Sequence, residues 1–145
     1  MTRPDPVALW EQTSQDLLTV LRDLFDDDWG KPALPGWSVQ DVVAHLAHLE
    51  SEVAGMPQPD GGHIEVDSVP NQAMPTDLTH VGVEARRGMS AEAVLAEFEQ
   101  ACVGRREVLA GLDLSDPKAQ APGVAGRLGW DLATLLRSRP IDMWV

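Results

Sequence analysis

The run Pro35-Gly36-Trp37-Ser38, followed by apolar residues at helical spacing, does most to limit the folds open to this chain. Gly36 gives backbone freedom after Pro35, and Ser38 can accept a hydrogen bond from the free amides of a first helical turn. Val39, Val42, Val43, Leu46, Leu49 and Val53 then recur on one helix face. At about 100° per residue, His45 falls roughly a right angle from the centre of that stripe, and His48 lies nearly opposite it. His45 is therefore expected at the edge of the core, and His48 is expected to face water.

The rest of the chain repeats this pattern of helices divided by proline and glycine. Pro4 and Pro6 suit the start of a first helix running to about Phe25, with Trp10, Leu17, Leu18, Leu21, Leu24 and Phe25 on its apolar face. Trp29-Gly30 ends it, and the short connection through Pro32, Pro35 and Gly36 predicts that the first two helices pack as neighbours. From about Gly55 a long crossover begins, interrupted by Pro57, Pro59, Gly61, Gly62, Pro70 and Pro75. Within it, 77–87 reads as a short helix stopped by Gly88, and 64–69 is an isolated strand-like run. Ser90 caps the clearest helix, whose core stripe is Val94, Leu95, Phe98, Ala101, Cys102, Val108, Leu109 and Leu112. Arg105 is the one polar residue in that stripe, and it either snorkels its charge outward or pairs with a carboxylate. Residues 113–129 read as a loop, and Asp131 as the cap of a last helix through Leu132, Leu135 and Leu136. Pro140 removes one backbone bond there and should kink the axis, with Asp142 returning near Leu135 at the flank of the core face. The expected fold is all-α: one domain over 1–145, a four-helix bundle with a long crossover between the second and third main helices. Its last helix is expected to be cut short at Val145.

Composition narrows the function. Eleven basic residues against twenty-three acidic ones give a net charge of −12, which argues against nucleic acid as a partner. No apolar run reaches the roughly eighteen residues of a membrane helix, and the N-terminus leads into no apolar signal core, so a cytoplasmic location is expected. The single cysteine, Cys102, excludes an internal disulfide and reads as a buried thiol. Asp26, Asp27 and Asp28 suggest a hard-metal site or, more commonly, a solvated helix end. His63 and His80 read as loop histidines or as ligands.

No glycine-rich phosphate loop, no Gly-x-Ser-x-Gly and no spaced Cys–His pair is present. What remains is His45 at one core edge and Asp142 at another. Bundle interiors hold metals between inward histidines and carboxylates, although a lone core-edge histidine is also a common structural residue.

The run 35–46 closely resembles the opening motif of the mycothiol-dependent maleylpyruvate isomerase family, within the DinB-like superfamily. Gly82-Val83-Glu84-Ala85-Arg86-Arg87-Gly88, the segment 91–98 and Ile141-Asp142-Met143-Trp144-Val145 agree with it in order. The resemblance implies a four-helix bundle with three ligands around a divalent metal, usually zinc, and use of the thiol cofactor mycothiol. Carried onto this sequence, the first ligand is His45 and the second is Asp142. The third would be a histidine four residues after Asp142, one beyond Val145, and two protein ligands alone would hold zinc weakly. The implied chemistry is isomerisation or thiol transfer: the metal lowers the pKa of the cofactor thiol, which then adds to a conjugated double bond. The implied partners are a small-molecule thiol and a small-molecule substrate, with a homodimer left open. Trp37 and Trp144 flank the ligand helices and either line a pocket or simply pack. The competing reading is a non-catalytic bundle that binds a metal or a partner.

Overall fold

The computed structural model describes residues 2–64 and 75–144. Helix α1 (Pro6–Arg22) starts where Asp5 Oδ1 accepts the Val7 amide, with Pro6 at the first position, where a missing N–H is harmless. It stops at Arg22 rather than near Phe25. Asp28 explains the difference: its carboxylate accepts the Phe25 amide at 3.0 Å and the Lys31 ammonium at 2.6 Å, closing a 3₁₀ turn over Asp26–Asp28. Phe25 consequently stands 80% exposed instead of joining the apolar face. The acidic run is a solvated turn.

A two-stranded hairpin follows, β1 (Pro32–Leu34) and β2 (Trp37–Ser38), turning through Gly36 at φ +80°. It is too short to reveal a period of two in the sequence. Helix α2 (Val39–Val53) opens with a capping box: Ser38 Oγ accepts the Asp41 amide and Asp41 accepts the Ser38 amide. Then come α3 (Pro75–Glu84), α4 (Ala91–Ala110), α5 (Gly123–Arg127) and α6 (Leu132–Trp144). Ser90 and Asp131 cap α4 and α6 as expected, accepting the Ala93 and Thr134 amides. Helix α5 lies in the stretch expected to be loop, while α6 continues through Pro140.

The main helices α1, α2, α4 and α6 form the all-α bundle, with the long crossover running from α2 to α4. The expected α1–α2 pairing is not the main one: α1 meets α2 through core side chains such as Trp10, whose Nε1 donates to Glu50, but its backbone runs closest to α6. Helix α1 packs chiefly on α6, and α2 packs chiefly on α4 and α3, with the hairpin β1–β2 set between α1 and α2 in the chain. Trp10, Leu18 and Leu21 of α1 meet Val43, Leu46, Phe98, Leu132 and Leu136 in the core. Of the strand-like run 64–69 only Ile64 is described; 65–69, the Trp144 side chain and Val145 lie outside the described residues.

His48 is fully buried, not solvent-facing. Angular position failed here because α2 has more than one covered side: α4 takes the apolar stripe, and α3 covers much of the rest. Gly82 of α3 makes that approach possible, since a methyl group there would collide with the His48 ring. Gly82→Ala should therefore destabilise the fold by about 1–3 kcal/mol, in line with other overpacked sites. Urea unfolding of Gly82→Ala, His48→Ala and the double variant should show a compensating coupling between the two. Additive losses would mean that the ring and the glycine are not in steric register.

Glu50 is the other buried group that needs an account. Arg139 Nε donates to its Oε1 at 2.7 Å and Trp10 Nε1 donates to its Oε2 at 3.2 Å. Arg105 Nε sits 3.8 Å from Oε2, so Arg105 pairs with a carboxylate inside the bundle rather than snorkelling outward. Four helices thus meet on one carboxylate. Removing it strands two buried arginines, and Glu50→Ala should cost about 3–5 kcal/mol in chemical denaturation, far above a surface substitution. A loss below about 1 kcal/mol would show that the arginines find other partners.

Candidate active site

The capping box sets where α2 begins, and so where His45 emerges two turns later. Trp37, just before the cap, lays its ring 5.3 Å from the His45 ring at a 42° tilt. Asp142 arrives from α6 with Oδ2 3.2 Å from His45 Nε2. A carboxylate only accepts, so Nε2 carries the proton in this arrangement; the buried Nδ1 has no hydrogen-bond partner. Arg139, one turn before Asp142, donates from Nη1 to the same Oδ2 at 3.1 Å. Burial pushes the Asp142 carboxyl up, but His45 and Arg139 outweigh it and hold the group below its ordinary value.

The two residues singled out as ligands, His45 and Asp142, are therefore brought together. Side-chain exposures of 12% for His45 and 36% for Asp142 leave both reachable. Both line a pocket of about 360 Å³ between α2, α5 and α6. Trp37 and Leu49 line it near the histidine, and Ile64, Val124, Leu128 and Trp130 extend an apolar wall. Helix α5, unforeseen from the sequence, supplies much of that wall.

A tetrahedral ion with donors at about 2.1 Å keeps neighbouring donors about 3.4 Å apart. The 3.2 Å separation of His45 and Asp142 suits two donors to one ion. Among the described residues, no third His, Cys, Asp or Glu completes such a group.

One family model matches residues 4–145, that of the mycothiol maleylpyruvate isomerase N-terminal domain. The chain belongs to this family. Neither a curated protein nor a solved structure matches it.

The family's later motif acquires physical content here. Gly82 admits His48, Val83 is fully buried, and the Arg86 guanidinium is buried with every arm occupied. Arg86 donates to Glu97, to the Gly82 carbonyl and to Gln58 Oε1, tying α3 to α4 and to the start of the crossover. Cys102 is buried, its thiol pushed up to about 12, first by burial and then by the charge of Glu50. It stays a thiol at neutral pH.

Several site-building residues escaped the sequence reading. Arg139 could have been suspected from its i, i+3 spacing to Asp142, but Glu50 lies 89 positions away from it. Glu52 is the second: its Oε1 accepts the Ile64 amide at 3.0 Å and faces His63 Nδ1 at 3.0 Å and His48 Nε2 at 3.6 Å. This buried carboxylate pins Ile64 into the pocket wall. His63 belongs to that clamp, and His80 makes an exposed pair with Glu84; neither lines the pocket.

Burial pushes the Glu52 carboxyl up, but the two imidazoles and the Ile64 amide outweigh it and leave the group below its ordinary value. A depressed carboxyl stabilises the fold above its unfolded pKa, and that contribution is lost as pH falls through the folded value. Thermal midpoints between about pH 5 and pH 3 should fall more steeply for the native chain than for Glu52→Gln. Parallel curves would show that Glu52 does not fasten the crossover through its charge.

Proposed function

We propose that this domain serves thiol chemistry with mycothiol, either isomerisation or thiol transfer, with His45 and Asp142 supplying two donors to a divalent ion. The observation that carries this reading is the 3.2 Å pairing of His45 Nε2 with Asp142 Oδ2 in the lining of a largely apolar pocket, in a chain of this family. Nitrogen and oxygen donors of this kind suit zinc. When bound, the ion would supply Lewis acidity that brings the cofactor thiol toward ionisation near neutral pH.

The chain's own residues have separable tasks. Trp37 fixes the plane of the His45 ring, and Arg139 holds Asp142 in place through Oδ2. Binding an ion at His45 Nε2 requires the other neutral tautomer, with the proton on Nδ1, an atom that has no hydrogen-bond partner among the described residues. The apolar wall lines the same pocket as His45 and Asp142. Cys102, buried and un-ionised, leaves the thiol to a cofactor.

Zinc affinity measured by competition with a chromophoric chelator should drop at least about tenfold in His45→Ala and in Asp142→Asn, with the helical signal retained. Turnover of maleylpyruvate with mycothiol and added zinc should fall in step. Zinc uptake unchanged by both substitutions would remove these residues from the site.

A further inference from the structure

Asp142 shares its arginine with a second carboxylate, and the two are not equal partners. The Arg139 guanidinium stands between them, with Nε donating to Glu50 Oε1 at 2.7 Å and Nη1 donating to Asp142 Oδ2 at 3.1 Å. Arg139 is also the one arginine or lysine among the described residues that line the pocket. It is therefore the cation that competes most directly with a metal ion for Asp142. A charge-assisted hydrogen bond strengthens as it shortens, so Glu50 has the larger share of the guanidinium. Burial works against the Arg139 charge, but Glu50 and then Asp142 outweigh it and hold the group above its ordinary value.

Glu50 is itself divided. Arg105 Nε lies 3.8 Å from its Oε2, and both side chains are fully buried. Neither is among the described residues that line the pocket. Neutralising Glu50 would throw the whole Arg139 charge onto Asp142. Removing Arg105 would do the reverse, because Glu50 would then draw harder on Arg139.

We infer that Glu50 is a positioning residue for the ion site: its buried charge holds Arg139 back from Asp142 and so leaves that carboxylate able to donate to a divalent ion. The inference rests on the reading of His45 and Asp142 as ion donors, and it adds what sets their affinity. It requires effects of opposite sign from two residues outside the pocket lining. A role confined to core packing would weaken the site in both cases, since each removal loosens the same bundle.

Zinc affinity of the full chain, measured by chelator competition with the helical signal and thermal midpoint recorded alongside, tests this. Glu50→Gln keeps the shape of the side chain without its charge, and zinc should bind at least about tenfold more weakly. Arg105→Met removes the second cation while Arg139 and Trp10 stay on Glu50, and zinc should bind at least about threefold more tightly. In the double variant the gain should vanish, because Arg105 acts only through Glu50, and zinc should bind as weakly as in Glu50→Gln alone. The double variant also lacks one arginine that Glu50→Gln would strand, so it carries the test should the single variant fail to fold. Native affinity in folded Glu50→Gln, weaker zinc in folded Arg105→Met, or a gain that survives in the double variant would each overturn the inference. Uptake lost in His45→Ala but indifferent to Glu50 and Arg105 would overturn this inference alone. Uptake indifferent to His45→Ala would sink the site itself, and this inference with it.

Discussion

The ion pair between Glu50 and Arg139 is the interaction on which the rest of the structure depends. A fully buried carboxylate survives in a bundle core only when its charge is met, and here Arg139, Arg105 and the Trp10 indole meet it from three other helices. The same pair sets up the site. Arg139, fixed by Glu50, holds Asp142, and Asp142 holds His45. Core electrostatics and site geometry are therefore one continuous chain of contacts, running from Trp10 of α1 through Glu50 and Arg139 to Asp142 and His45 in the pocket lining.

Helix α2 is the second organising fact. It is covered by α4, α3 and α5, so polar residues that a simple amphipathic helix would send to water are instead enclosed. Each has acquired a task. His48 receives Gly82, Ser51 accepts from Gln58, and Glu52 fastens Ile64. These are the contacts through which the crossover is pinned against the bundle. The pocket forms at the seam where the last turns of α2 face α5 and α6.

Family membership and pocket chemistry bear on different parts of the reaction. Membership of the mycothiol maleylpyruvate isomerase N-terminal domain family points to the thiol. The pocket adds a largely apolar lining, with Arg139 already paired to Glu50 and Asp142.

Local chemistry was readable directly from the residues. Ser38, Ser90 and Asp131 cap the helices they were expected to cap, and the core stripe of α4 is buried largely as its spacing predicts. The all-α bundle and its long crossover followed from periodicity, and the pairing of His45 with Asp142 from the family resemblance of 35–46 and 141–145. Tertiary structure alone decided that α1 leans more on α6 than on α2, that α5 exists, and that His48 is enclosed. The physical reason is range. Caps and stripes are settled by atoms a few residues apart, whereas the number of neighbours around α2, and the meeting of Glu50 with Arg139 across 89 positions, depend on how whole helices pack.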